Sequence, residues 1–250
     1  MTELQTTTTA STSFAESFAA KSLPQASFAH AHLEGADFRG ADLSIGDFTG
    51  ATLDNANFEG ADLSGAQFQG ASLRGALFSD TRLLYVRFTG ARLQEAVFTR
   101  SFMHHADLTD ANLESARFTW ARLMHATLRG AKARGADFTG VSLRFADCRG
   151  ADLSYATLEF ADAPVVRLAG ASLRDALVVS ANLDGASVAG ADFTGATFGR
   201  TVLTNVVDLD RAVGLTSISH LAPSAIDVRT FSRVRASLPS AFVTGIGLEP

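Results

Sequence analysis

Residues 36–70 read ADFRG ADLSI GDFTG ATLDN ANFEG ADLSG AQFQG, seven copies of one five-residue pattern. In each copy a small residue stands first and a leucine or phenylalanine stands third. We call the third residue the centre and the first residue the small position. The pattern keeps its phase from Phe28 to Phe198, and 29 of the 35 centres on this stretch are Leu or Phe. Alanine fills 29 of the 35 small positions, so the repeat governs most of the chain.

A period of five fits neither a helix of 3.6 residues per turn nor the two-residue alternation of a strand. The small and central residues must both point inward, because both are apolar, and the other three residues must point outward. A chain that makes a quarter turn after every repeat satisfies this condition, and four repeats then close one coil. We expect successive coils to stack through backbone hydrogen bonds at the usual strand spacing of about 4.8 Å.

The repeated motif resembles the A-(D/N)-L-x-x motif of pentapeptide-repeat proteins, over residues 21–205. The resemblance implies an all-β fold, a right-handed quadrilateral parallel β-helix that forms a solenoid of about nine coils with short terminal caps. Such a rod would be on the order of 45 Å long. Residues 20 apart should stack inside it. Phe28, Phe48, Phe68 and Phe88 would form one column, and the centres from Phe38 to Phe138 would form the opposite one.

The two ends of the chain depart from the repeat. Residues 1–20 are expected to hold a disordered stretch and a short cap helix, which the capping box Ser13–Glu16 would open with Phe14 and Phe18 on one face. Residues 206–250 are expected to form a C-terminal cap or tail, which could dimerise or be a remnant linker. The tail, with the segment HLAPS at 220–224, looks like one that joins the repeats to an effector such as a TIR domain in some bacterial members, although Ala222 replaces their usual glycine.

The composition gives no sign of catalysis or of a cofactor. The single cysteine, Cys148, is a centre and is read as an inert core thiol. No phosphate loop, HExxH, GxSxG or CxxC motif occurs. The aspartates that precede many centres are expected to bond the backbone of the turns. We therefore predict a protein that is not an enzyme and has no cofactor. No long apolar run and no secretion signal is present, which favours a cytoplasmic protein without a membrane partner.

One side of the predicted rod carries outward aromatic and apolar residues, with arginines at its edges. They are candidates for partner binding because aromatic residues, methionine and arginine are enriched in protein interfaces. This set, which we call the aromatic face, consists of Leu84, Tyr85, Phe102, His105, Trp120, Met124, His125, Phe145, Phe160, Arg82, Arg122 and Arg144. An alternative is an aromatic ladder that only protects the coil and is covered by a terminal segment. His105 and His125 are adjacent in the stack, but no third metal ligand is evident, so no metal site is predicted.

Charge is distributed in bands along the predicted rod. Residues 21–79 hold 3 basic and 7 acidic residues, residues 80–135 hold 9 and 5, and residues 136–205 hold 5 and 8. The formal charge of the whole chain is −5. A negative chain without an inserted basic helix is not expected to bind nucleic acid directly.

Two functions remain open at this point. The resemblance implies that the chain could mimic DNA, bind a type II topoisomerase such as DNA gyrase or topoisomerase IV, and inhibit it or protect it from poisons, as in antibiotic resistance. The basic middle band opposes this reading, because it would meet a basic DNA groove with like charge. The alternative is a protein–protein interaction scaffold in bacterial signalling or defence, with the aromatic face as its docking surface. A continuous acidic face would favour the first function, and an apolar stripe beside arginines the second.

Overall fold

The fold is seen in a computed structural model, which describes residues 17–249. Parallel one-residue bridges join residues 20 positions apart, from Ser17 with Asp37 to Asn182 with Val202. A bridge occurs once in every five residues, so each coil has four short sides. This confirms the four-sided parallel coil inferred from the repeat. The right-handed sense stays an expectation drawn from the family.

Backbone hydrogen bonds of two kinds build each side of the coil. Along the rod, Phe38 N–H donates to Asn57 O (2.7 Å) and Asp42 N–H donates to Lys21 O (2.9 Å), so a side is bonded to the coils before and after it. Within a coil, Ala41 N–H donates to Phe38 O (3.0 Å) and closes a turn at the corner. The fifth residue of each repeat has a positive φ, as a type II turn requires at its third residue.

The centres and small positions fill the interior of the rod as predicted. Phe38, Phe58 and the four later phenylalanines of their column stack with ring centroids 4.8–5.0 Å apart. The column of Phe28 faces it, and rings of the two columns meet edge to face, as Phe48 and Phe58 do at 6.0 Å. Both arrangements are favourable for aromatic quadrupoles. From Leu108 onward leucine and smaller residues replace the Phe28 column, and every centre there stays buried.

The N-terminal boundary differs from the expectation. The capping box at 13–16 and Phe14 lie outside the described residues. Ser17 already bridges Asp37, and the ring of Phe18 stacks on Phe38 at 4.8 Å, so Phe18 is a centre of the coil and does not lie on a helix. The polar residues between the early centres concealed these repeats, but Phe18 and Leu23 hold the phase of five.

The coil continues beyond the last recognisable repeat. Ser187 bridges Val207, 20 residues on, and Asp192 bridges Val213, 21 residues on. Thr197 pairs with Ser219, and Val202 with Ala225, so each further side of this last coil contains one extra residue. Regular strands occur only near this end of the described chain. They are β1 (Leu177–Val179), β2 (Thr197–Gly199) and β3 (Ser219–His220), all parallel.

Helices close the C-terminal end of the rod. Two 3-10 helices, Leu209–Arg211 and Leu215–Ser217, lie within the last coil. They are followed by α1 (Val228–Val234), a 3-10 turn at Arg235–Ser237 and α2 (Ser240–Gly245). Side chains of this segment join the buried core, namely Leu209, Leu215, Val234, Leu238, Phe242, Val243 and Ile246. Residues 206–249 thus cover the open end of the coil. None of the helices within residues 17–249 has the length and apolar character needed to cross a membrane.

Candidate protein-binding face

The aromatic face includes one corner of the coil on which four rings form a continuous stack. Tyr85 and His105 are parallel with centroids 4.9 Å apart, and His125 follows at 5.0 Å. Phe145 continues the stack, 5.0 Å from His125. The rings occupy the fifth position of repeats one coil apart, which fixes their spacing at the spacing of the coils. We call these four residues the ring ladder.

All four ladder residues adopt a backbone conformation that side chains disfavour. Their φ angles lie between 57° and 60°, in the left-handed region. This region costs a residue with a Cβ atom roughly 1–2 kcal/mol, and most corner positions of the rod hold glycine instead. A stacked aromatic pair returns about 0.5–1.5 kcal/mol, so the ladder offsets its own strain at best. Fold stability alone therefore gives no reason for rings at this corner.

The flat side beside the ladder carries alternating arginine and aromatic residues. Arg82, Phe102 and Arg122 bridge in succession, and the guanidinium of Arg122 lies 4.9 Å from the centroid of the Phe102 ring. At the far corner of this side, the indole of Trp120 lies over Gly140. A cleft runs between the corner and the flat side, and it is lined by Asp80, Arg100, Phe102, Trp120, Arg122 and Ser142.

The rings of the aromatic face are open to solvent. Tyr85 is 62% exposed, Trp120 58%, Phe160 57% and Phe145 45%. Seven large apolar residues within 17–205 are exposed, and all but Tyr155 stand on the two corners that flank this side. Residues 206–249 pack on the last coil and leave these rings uncovered. The structure therefore brings the predicted residues to one surface, with Leu84, Phe102 and Met124 half-buried beneath it. Their role in binding stays a prediction.

Three of the four arginines at the aromatic face are paired with aspartates of the rod. Arg82 lies 3.6 Å from Asp62, and Arg144 lies 3.2 Å from Asp162. Arg100 makes a two-pronged contact with Asp80. Arg122 makes no ion pair with any residue in the described range 17–249.

Two features of this side are not apparent from the repeat alone. His104 is half-buried next to Arg122. Burial lowers the pKa of His104, and the charges of Arg122, His105 and His125 lower it further, so its imidazole is neutral at pH 7. Gly140 is the seat of Trp120, and it stands 20 residues after Trp120, the spacing of one coil.

No side of the rod between residues 17 and 205 presents an unbroken acidic column. The residues that precede the centres, read coil by coil, are interrupted by a basic residue on all four sides. Arg82 and Arg122 interrupt the first side, Arg87 and Arg167 the second, Arg92 and Lys132 the third, and Arg117 the fourth.

The reactive side chains of the rod serve its structure. Burial raises the pKa of the Cys148 thiol to about 12, with a contribution from Asp147, so the thiol stays protonated. Aspartates before the centres accept from the turn, as Asp47 does from Thr49 N–H at 2.9 Å. Within residues 17–249, no three His, Cys, Asp or Glu residues are placed to hold a metal ion. The Asp turn contacts match the backbone bonding predicted from the sequence.

These observations define a β-solenoid built from five-residue repeats. A family model described as a pentapeptide repeat region matches residues 51–128. A second model, described as pentapeptide repeats (8 copies), matches residues 22–44, 121–159 and 166–200. Together the matches span more than half of the chain, which belongs to the pentapeptide-repeat family.

Several solved structures are similar to the chain. HetL from the cyanobacterium Nostoc sp. strain PCC 7120, which is involved in heterocyst differentiation regulation, is 28% identical over 84% of this chain and 90% of its own, with a TM-score of 0.46. QnrB1, a plasmid-mediated fluoroquinolone resistance protein, is 19% identical over 89% and 96%, with a TM-score of 0.41. A pentapeptide repeat protein from the Arabidopsis thaliana thylakoid lumen is 39% identical over 42% and 70%, with a TM-score of 0.26. The chain has no significant match among curated protein sequences.

Proposed function

We propose that this protein is a non-enzymatic interaction scaffold that docks a protein partner on the aromatic face. The observation that carries the proposal is the ring ladder, four exposed or partly exposed rings stacked on left-handed backbone. Contiguous apolar surface of this kind is rare on monomers and marks interaction sites. Trp, Tyr and Arg, which the face combines, are also the residues that most often dominate binding energy at interfaces.

The arrangement of charge also supports docking on this face. A DNA mimic needs negative charge along its length to occupy a basic groove. Here basic residues interrupt all four columns, and an apolar stripe stands beside arginines. By the criterion stated for the sequence, this arrangement favours the scaffold.

The proposal is tested by removing the two ends of the ring ladder. Tyr85→Gly together with Phe145→Gly deletes exposed rings and relieves left-handed backbone, so the free energy of unfolding should change by less than about 1 kcal/mol. The matched control is Tyr155→Gly, another exposed ring at a left-handed corner position, which lies on a different corner.

The variants serve as baits in quantitative pull-downs from a lysate of the source organism, and sedimentation velocity measures self-association. We expect the wild-type chain and Tyr155→Gly to capture the same partner, or to form the same homodimer, and the double variant to lose it. The proposal fails if the double variant, with unchanged circular dichroism, retains every partner and its self-association.

Topoisomerase binding is the second candidate, and the continuity of the rod favours it. The coil runs from Ser17 to Asn205 without an insertion, which gives an unbroken rod of about nine coils. The assay is supercoiling by DNA gyrase, with and without a cleavage-stabilising poison. Inhibition of supercoiling or loss of poison-stabilised cleavage would favour this candidate. No effect in either assay at micromolar protein would reject it.

A further inference from the structure

We propose that the partner of the aromatic face is a protein segment that combines an acidic residue with apolar side chains. Its carboxylate would pair with Arg122, and its apolar side chains would pack on Trp120 and on the edges of the ring ladder. This inference rests on the proposed function and specifies the chemistry of the partner at the same surface.

The first argument is the local charge of the aromatic face. Within the four coils that build it, the outward residues of this side and its two corners include Arg82, Arg100, Arg122 and Arg144 but only one acid, Asp80. The whole chain is negative, at −5. The aromatic face is therefore a positive patch on an acidic protein, and complementary charge steers and orients a binding partner.

The second argument is the state of Arg122 itself. The other three arginines are neutralised by Asp62, Asp80 and Asp162, whereas Arg122 makes no ion pair within the described residues 17–249. Its guanidinium lies on the ring of Phe102, which orients it in the cleft beside Trp120. A planar guanidinium held in this way can accept a carboxylate through two parallel hydrogen bonds.

The third argument distinguishes a carboxylate from a nucleic-acid phosphate. Single-stranded nucleic acids bind by stacking bases on free aromatic faces. Both faces of His105 and His125 are covered by neighbouring rings at 4.9–5.0 Å, and the indole of Trp120 lies over Gly140. The exposed ring edges suit aliphatic and aromatic side chains of a protein better than bases.

A random 12-residue peptide library displayed on phage provides the probe. Peptides are selected on the full-length protein, and their affinities are measured for four forms of it: wild type, Arg122→Gln, Arg129→Gln, and Tyr85→Gly with Phe145→Gly. Arg129 is the matched control, because it is also exposed and without an ion pair within residues 17–249, but it lies on another corner. Both arginine variants lose one positive charge. A 20-nucleotide single-stranded DNA is titrated in parallel.

We expect the selected peptides to contain Asp or Glu next to apolar residues and to bind Arg122→Gln at least about tenfold more weakly than wild type, with Arg129→Gln unchanged. If selected peptides need the ring ladder but carry no acidic residue or bind Arg122→Gln normally, this inference fails and the docking function stands. If no peptide is enriched, or all bind the ladder variant normally, both fail. Binding of the oligonucleotide that depends on Arg122 would overturn the inference in favour of a nucleic acid.

Discussion

A single side chain, Trp120, shows how the corner residues control the aromatic face. Its indole rests against Gly140 in the next coil, where a Cβ atom would meet the ring atoms Cε3, Cζ3 and Cδ2. Gly140 also has a φ of 64°, which any other residue adopts at a cost. The seat of the indole therefore needs glycine both for space and for backbone conformation.

Gly140→Ala should displace the indole and weaken docking. Trp120 is the only tryptophan of the chain, so its fluorescence emission reports the change directly. The control is Gly60→Ala, on the same corner with a φ of 68° and nothing within 4 Å of the added Cβ. Both variants should lose about 1–2 kcal/mol of stability from the left-handed backbone, and only Gly140→Ala should shift the emission and the partner affinity. Equal spectra for the two variants would show that Gly140 does not position the ring.

The residues of the aromatic face could be predicted from the sequence because the phase of five never slips. Residues 20 apart must then stack, which places Tyr85, His105, His125 and Phe145 in one column. The ion pairs could not be predicted, because the rotamers of long arginine side chains decide which of Arg82, Arg100 and Arg122 finds an aspartate. The exposure of Tyr155 on another corner, beneath the guanidinium of Arg134 at 4.2 Å, likewise depends on side-chain packing.

Among the elements, the C-terminal cap is joined to the rod by the N-cap of α1. Asp227 accepts hydrogen bonds from Arg229 N–H (2.9 Å) and Thr230 N–H (3.0 Å), and from Asn205 N–H (2.6 Å) in the rod. The Thr230 hydroxyl and the Asn205 N–H hold the pKa of Asp227 well below its usual range, and the other N–H donors add to this. One carboxylate thus stabilises the helix and anchors it to the last repeat.

Asp227→Ala should destabilise the cap by about 1–2 kcal/mol, because it leaves these backbone donors without their acceptor. Hydrogen exchange of the α1 amides measures the effect, and faster exchange should be confined to residues 206–249. Asp227→Asn keeps an acceptor oxygen and should lose distinctly less. If Ala and Asn exchange at the same rate, capping by Asp227 does not hold the helix in place.

The last coil shows where sequence periodicity stops being informative. Its sides lengthen by one residue in turn, with offsets of 20, 21, 22 and 23 residues. Val206, Leu209 and Leu215 still point inward, but their spacing no longer repeats. The backbone ladder tolerates such insertions because its hydrogen bonds depend on the strand spacing and are independent of the side chains. A fixed period therefore locates the end of the repeat at Asn205 and misses the coil that follows.

On the scale of the whole molecule, the aspartates before the centres link the stability of the rod to pH. The Ser44 hydroxyl and Ser44 N–H donate to Asp42 and lower its pKa. Burial opposes ionisation of Asp137, but the hydroxyl and N–H of Thr139 outweigh it and lower that pKa as well. The same direction holds for Asp37, Asp80, Asp107, Asp147, Asp184 and Asp192.

We therefore expect the rod to lose stability in acid. A carboxyl with a lower pKa in the folded than in the unfolded state stabilises the fold above the unfolded value, about 3.9 for Asp, and this contribution disappears as the pH falls through the folded pKa. The Tm from circular dichroism should be nearly level from about pH 8 to pH 5 and fall steeply below about pH 4. Asp42→Asn with Asp137→Asn keeps the turn acceptors without a titrating group, so its Tm should fall less between pH 5 and pH 3. A Tm that stays level down to pH 3, or an equal fall in the double variant, would show that the turn aspartates do not link stability to pH.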